Sequence, residues 1–304
     1  MKLIKILDVK NKLGEGIVWH PNQQSLWWTD IHSAKLYCYF PHNDSHKVYD
    51  MPERVGCFGF IDGENALIVA FASGIAKYHI ENQTLEWLAR PELENKGNRF
   101  NDGRVDRNGC FWAGTMVENS TSSSAKGKLY QLTDNGDIHV HINDIGISNS
   151  LCWSPCGNTL YHADSPSNTI YQYSVKLDNA QRIYLTNKKV FARTESDIFP
   201  DGATVDKYGN LWSAQWAGSR LVKYAPTGEQ LAVFDMPVSQ PTCIAIGGPK
   251  GDLLCVSSAI DKLSLEALDK EPNAGNVFIY QLTENIAVPE KYVDIKNWNR
   301  ALPE

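Results

Sequence analysis

Six segments of this chain repeat one pattern, and a repeat of this period restricts the possible folds more than any other feature. Each segment has an apolar anchor, a short turn rich in Asn, Asp, Pro or Gly, and an apolar strand ending in small or polar residues. They read WHPNQQSLWWTD (19–30), IDGENALIVAFA (61–72), VDRNGCFWAGTM (105–116), WSPCGNTLYHAD (153–164), VDKYGNLWSAQW (205–216) and IGGPKGDLLCVSS (246–258). The anchors Trp19, Ile61, Val105, Trp153, Val205 and Ile246 are spaced 42, 44, 48, 52 and 41 residues apart. Gly and Asn in the turns suit tight hairpins because both tolerate positive φ.

A third strand of alternating character follows each unit, as in KLYCYF (35–40), KLYQLT (128–133) and RLVKYAP (220–226). A fourth apolar stretch often comes next, such as TLEWLA (84–89), DIHVHI (137–142), KKVFAR (188–193) and QLAVFDM (230–236). Four strands in about 45 residues, six times over, predict an all-β, six-bladed β-propeller with four-stranded blades around a central channel. The whole chain, 1–304, is expected to form that single domain. The leading segment LIKILDV adds a strand to the last blade and closes the ring. Segments 119–127, 176–187 and 260–272 are expected as insertions on this scaffold, the last of them helical.

Composition narrows the function classes. Nine tryptophans and thirteen tyrosines favour strands. A net charge of -6 argues against nucleic acid or an anionic membrane surface as partner. The N-terminus MKLIKILDVK is a poor signal peptide, and no apolar stretch approaches the ~18 residues of a membrane span. The seven cysteines are scattered, with Cys152 and Cys156 the one close pair. Reduced thiols in a cytoplasmic protein are the expectation.

Equivalent positions of a closed repeat meet at its axis. The position four residues before each anchor holds, in order, Glu15, Cys57, Asn101, Asn149, Asp201 and Thr242. These residues are expected just before the innermost strands, at one mouth of the channel. A turn preference for Asp and Asn explains two or three polar residues there, but not a glutamate. Carboxylate and amide oxygens suit a hard cation such as calcium, magnesium or manganese. His139 and His141 share one face of a predicted outer strand, far from that axis. Arg99 lies two residues before Asn101, so an extended backbone sets both side chains on one side. A guanidinium there suits an oxygen-rich ligand or a developing anion. Glu118 and Asn119 follow the second strand of blade three, within reach of the mouth; His162 and Asp164 hold the matching place in blade four.

The segments LGEGIVW (13–19), RFNDGRVDRNGCFWAGTM (99–116), GISNSLCWSP (146–155), YHADSPSNTIYQY (161–173), FPDGATVDKYGNLWSAQWAGSRLVKYAPTG (199–228) and PTCIAIGG (241–248) together resemble the gluconolactonase family, which includes senescence marker protein (regucalcin) and luciferin-regenerating enzyme. The resemblance spans nearly the whole chain in order, and RFNDG, SNSL and PDG in combination carry its specificity. It implies one divalent cation in the channel, whether calcium, zinc, manganese, magnesium or ferrous iron. Glu15, Asn149 and Asp201 are then its ligands, Arg99 and Asn101 contact substrate, and Asp201 is also the general base. Some members place a substrate-binding glutamate where Asn119 falls, directly after Glu118, so both positions are substrate-contact candidates.

The implied activity is metal-dependent hydrolysis of sugar lactones to aldonic acids, part of carbohydrate metabolism, on a small-molecule substrate with no nucleic acid or membrane partner. Two other readings use the same scaffold: a non-catalytic calcium-binding propeller, and an esterase or phosphotriesterase.

Overall fold

The computed structural model describes residues 1–118, 126–178 and 182–294. Six four-stranded antiparallel sheets succeed one another around a ring. Five are built from consecutive strands, with inner strands Gly14–His20, Val55–Phe60, Asn98–Val105, Ser148–Trp153 and Phe199–Val205. The sixth combines Pro241–Gly247, Leu253–Ser258 and Val277–Gln281 with the N-terminal strand Lys2–Leu7, which pairs antiparallel to Val277–Gln281. The first and the last strand of the described residues thus share one blade, and the ring closes as the sequence anticipates.

The hydrophobic pattern follows from this geometry. Each blade stacks on two neighbours, so its inner strands bury both faces and read as continuous apolar runs. Every residue of Ser25–Asp30, Val55–Phe60 and Ala66–Phe71 is buried. The outermost strand Ser45–Asp50 is mostly exposed. Among the described residues the core is therefore divided into one main cluster between each pair of neighbouring blades, with a smaller one of Leu13, Ile31 and Ala259. Trp28, fully buried between blades six and one, stacks on Tyr37 at 5.0 Å. Trp112, fully buried between blades three and four, meets Trp153 at 5.6 Å.

Repeated sequence produces repeated hydrogen bonding. In blade three, buried Asp106 accepts the backbone N–H groups of Asn108 and Cys110 and the indole N–H of Trp112. In blade five, Asp206 does the same for Tyr208, Asn210 and Trp212. The matching turn glycines Gly109 and Gly209 have φ of 86° and 85°, a conformation that a Cβ strains.

Two of the three expected insertions lie wholly or largely within the described residues, and the helical one is borne out. Within 176–187, residues 176–177 and 183–187 are strand rather than loop. They prolong a hairpin of blade four, whose outer strands run Thr169–Leu177 and Ile183–Arg193. Residues 260–272 carry a short helix, Leu265–Lys270, capped by Ser264 accepting from Ala267 N–H. The third falls largely on 119–125, outside the described residues. Among the described residues no helix is long and apolar enough to cross a membrane, and all seven cysteines are unbridged.

The segment 286–294 runs along the ring at the end opposite Glu15. Val293 N–H bonds to Phe60 O, and Asp294 N–H to Gly109 O. Glu290 reaches buried Arg104 at 3.2 Å.

Candidate active site

Glu15, Asn101, Asn149 and Asp201 lie within the inner strands of blades one, three, four and five rather than before them. The sequence reading misplaced them because it took the strand to begin at the apolar anchor. The structure supplies a further element at the same place. In each of the six blades the ladder between the first two strands slips here, between Glu15 and Val18, Val55 and Cys57, Phe100 and Gly103, Asn149 and Cys152, Pro200 and Ala203, and Pro241 and Ile244. Such irregularities break the strict alternation of side chains and re-aim a polar one while pairing resumes beyond. All four candidate side chains are buried, at 5 to 7% exposure, despite their polarity.

The small residues of the motifs make this packing possible. A Cβ on Gly103 of RFNDG would lie 2.4 Å from Cys57 Sγ, and one on Gly202 of PDG 2.5 Å from Cys243 Sγ. The thiols of blades two and six occupy the space those glycines leave. Burial and nearby carboxylates hold both thiols well above their usual pKa, so they remain protonated packing groups.

A chain of hydrogen bonds crosses blades two to five. Arg54 donates through both terminal nitrogens to Glu118, at 2.8 Å to each oxygen. Glu118 Oε1 also accepts from Arg99 Nε at 2.9 Å. Arg99 Nη1 donates to Asn101 Oδ1 at 2.7 Å and to Phe100 O at 3.0 Å. The Asn101 amide donates to Asn149 Oδ1 and to Ser148 O, both at 3.0 Å. Asn149 Nδ2 donates to Ser165 Oγ at 2.8 Å, and Ser165 donates to Pro200 O, next to Asp201. Every rotamer in this line is held by its neighbours.

Electrostatically the site is a cluster of crowded carboxyls. Burial, and then the charge of Asp102, raise Glu15 from 4.5 to about 8. Burial and then Glu15 hold Asp201 well above its ordinary value. Asp102 is also raised by burial, though it accepts Leu151 N–H at 2.8 Å. Glu118 is the opposite case. It is partly exposed, and hydrogen bonds from Arg54 and Arg99 overcome its desolvation and lower it to about 2.

The donor set fits a hard divalent cation. Two buried carboxyls face each other, and among the described residues no guanidinium or ammonium is bonded to either, an arrangement that is costly unless protons or a cation compensate it. Asn149 Oδ1 accepts one hydrogen bond, from Asn101, and a carbonyl oxygen offers two lone pairs. Among the described residues no three His, Cys, Asp or Glu side chains converge as metal ligands. The set therefore depends on the amide of Asn149 as third donor, an oxygen chemistry that suits calcium, magnesium or manganese.

Several sequence candidates fall elsewhere. Asp164 closes a turn by accepting Gly146 and Ile147 N–H, as Asp30 does for Lys12 and Leu13 in blade one. His162 is buried, and desolvation lowers it to about 3; it pairs with Ser148 at 2.9 Å. His141 packs at a tilt against Trp112 and bonds to Gln131 in the outer part of blade three. Asn119 lies outside the described residues. Arg54, Ser165 and Asp102 are additions of the structure. Asp102 sits inside the quoted RFNDG motif, where a third acidic residue was the available signal. Arg54 has no sequence signal, since its partner is 64 residues away.

The SMP-30/Gluconolactonase/LRE-like region matches residues 13–260. An L-arabinolactonase of Azospirillum brasilense is 34% identical over 280 residues, covering 91% of this chain and 90% of that protein. A 6-deoxy-6-sulfogluconolactonase of Pseudomonas putida is 35% identical over 266 residues, covering 88% and 90%. The structure of a calcium-binding protein, regucalcin, from Agrobacterium tumefaciens superposes with a TM-score of 0.87 at 26% identity, covering 96% of this chain and 97% of that one. The repeat, the axial oxygen cluster and the matched motifs thus coincide along most of one sequence, and the chain belongs to the SMP-30/gluconolactonase/LRE-like family.

Proposed function

We propose that this chain hydrolyses sugar lactones to aldonic acids at the mouth lined by Glu15, Asn101, Asn149 and Asp201. The observation that carries this reading is the pairing of two buried carboxyls with an adjacent, rigidly held guanidinium, Arg99. The lactonase names of the relatives support it. Glu15, Asn149 and Asp201 are the residues to hold a divalent cation. Bound there, such an ion supplies electrophilic polarisation of the lactone carbonyl and acidification of water.

The remaining chemistry belongs to side chains. Asp201 accepts a proton from the attacking water as its oxygen bonds to the carbonyl carbon. That role requires ionised Asp201, which burial and Glu15 disfavour, so positive charge at the site is a condition for the base. Arg99 donates a hydrogen bond to the oxyanion that develops on the carbonyl oxygen. Collapse breaks the bond from carbon to the ring oxygen, and that oxygen takes the proton back from Asp201. The hydrogen-bond line from Arg54 to Pro200 keeps Arg99, Asn101 and Asn149 in place without reorganisation.

The test is acid release from a panel of aldonolactones by wild type and Asp201→Ala, each with chelator and with divalent metal restored. Metal-dependent hydrolysis by wild type, lost by at least ~100-fold in Asp201→Ala, supports the assignment. Near wild-type turnover by Asp201→Ala at saturating metal refutes the base. A non-catalytic cation site, as the description of regucalcin as calcium-binding suggests for that protein, predicts metal binding with no acid release from any lactone. Aryl-ester or phosphotriester cleavage without lactone cleavage marks a different hydrolase.

A further inference from the structure

Arg54 stands just before the inner strand of blade two, outside the repeat positions that form the oxygen cluster. It is nevertheless tied to that cluster. Its two terminal nitrogens grip both oxygens of Glu118 at 2.8 Å, a planar fork geometry that lysine cannot reproduce. Glu118 Oε1 is shared with Arg99 Nε at 2.9 Å. Both oxygens of Glu118 are thus engaged by the protein, which makes it an anchor for Arg99 rather than a free contact for substrate. Arg99 is only 4% exposed, and its Nη1 is committed to Asn101 and Phe100. The guanidinium plane is fixed from two sides, Asn101 on one and Glu118 on the other. Without Arg54, the rim carboxylate has one partner left and can rotate away.

We propose that Arg54 is a positioning residue of this site: by clamping Glu118 it fixes the plane of the Arg99 guanidinium against the reacting carbonyl. It touches neither substrate nor cation, and acts only through Glu118. The groups facing Glu118 are Arg54 and Arg99, with His32 across the mouth paired to Asp261 at 3.5 Å. The catalytic consequence rests on the lactone reading above; the clamp itself does not.

The experiment therefore has two independent readouts on Arg54→Ala and Arg54→Lys. The first is hydrogen exchange of the Arg99 Nε–H followed by NMR in the full chain, assigned with Arg99→Lys. The proposal expects a protected proton in wild type and at least ~10-fold faster exchange in Arg54→Ala, because the bond to Glu118 loosens. Unchanged exchange overturns the proposal whether or not any lactone is hydrolysed. The second is steady-state kinetics with calcium restored. The proposal expects kcat to fall by about 10- to 100-fold in Arg54→Ala with a smaller change in KM, as for a misplaced catalytic group. Methylguanidinium should restore part of that loss in Arg54→Ala, since the Arg54 side chain is 35% exposed at the rim, and Arg54→Lys should recover less than rescue does. Calcium affinity by calorimetry should stay within about twofold of wild type, since Arg54 contacts no proposed ligand. Kinetics within twofold of wild type overturn the proposal. So does a loss that methylguanidinium leaves untouched and that accompanies weakened calcium binding.

Discussion

Glu15→Gln removes one of two buried carboxyls that face each other, and its effect can be worked out from the site. In the cation-free protein, burial and the charge of Asp102 raise Glu15 from 4.5 to about 8. Above pH 6.5 a glutamate in the unfolded chain has lost its proton, whereas Glu15 in the folded chain keeps it. The folded state then binds one more proton than the unfolded state, so stability falls as pH rises towards about 8. One proton corresponds to about 1.4 kcal/mol per pH unit, hence roughly 2 kcal/mol between pH 6.5 and 8. Asp201, raised for the same reasons, adds to the effect in the same direction. The buried histidines act against it at the lower edge of the window. His20, His141 and His162 lie below their ordinary 6.5, so at pH 6.5 the unfolded chain still half-protonates each, and together they return roughly 1 kcal/mol by pH 8, which offsets part of the Asp201 contribution. At about 2 °C per kcal/mol for a chain of this size, the chelated wild type should melt about 4 °C lower at pH 8 than at pH 6.5. Differential scanning fluorimetry in chelator, then in saturating calcium, measures this directly. Glu15→Gln should show a smaller pH slope in chelator. Calcium should raise the wild-type Tm, more at pH 8 than at 6.5 because binding releases protons, and leave Glu15→Gln unmoved. A flat wild-type Tm in chelator across this window, or equal stabilisation of both proteins by calcium, refutes the reasoning.

Arg99→Lys should lower kcat by about 10²- to 10³-fold, since a point charge replaces a donor held on both sides, and steady-state kinetics with lactone at saturating metal check it. His162→Gln should flatten acid destabilisation. Desolvation lowers His162 from 6.5 to about 3, so below pH 6.5 the unfolded chain binds a proton that the folded chain refuses, at about 1.4 kcal/mol per pH unit; urea melts at pH 6.5 and 5 report the slope. Asp206→Ala should cost about 3 kcal/mol, because it strands the indole N–H of Trp212 and the backbone N–H groups of Tyr208 and Asn210. Chemical denaturation measures that loss, and activity per folded molecule should be unchanged.

The blade repeat was legible because the interior of a propeller blade is buried on both faces. Runs such as ALIVAF and LLCVSS record that burial, and the glycines and asparagines between them record the turns. The four axial residues were legible for a related reason. Equivalent positions in a closed repeat share a radius, so Glu15, Asn101, Asn149 and Asp201 could be brought together from spacing alone. The lengthening of blade four at 176–187 was expected from the sequence, but its strand form was not, because the segment alternates too weakly to separate strand from loop. Glu118 was legible as a residue at the mouth, but its clamp was not.

What the sequence determined by itself is periodic: six blades, their closure by the N-terminal strand, and an oxygen-rich axis. What only the tertiary structure decided is whatever breaks the period. The ladder slip in each inner strand, which re-aims Glu15, Asn149 and Asp201, arises from backbone pairing between strands and leaves no mark in residue identity. The grip of Arg54 on Glu118 joins residues 64 apart at positions that the repeat does not relate. The crowding that raises Glu15 and Asp201 is likewise a property of distance and burial. Spacing can put carboxyls on one axis, but only the folded ring sets how near they come and how little water remains between them.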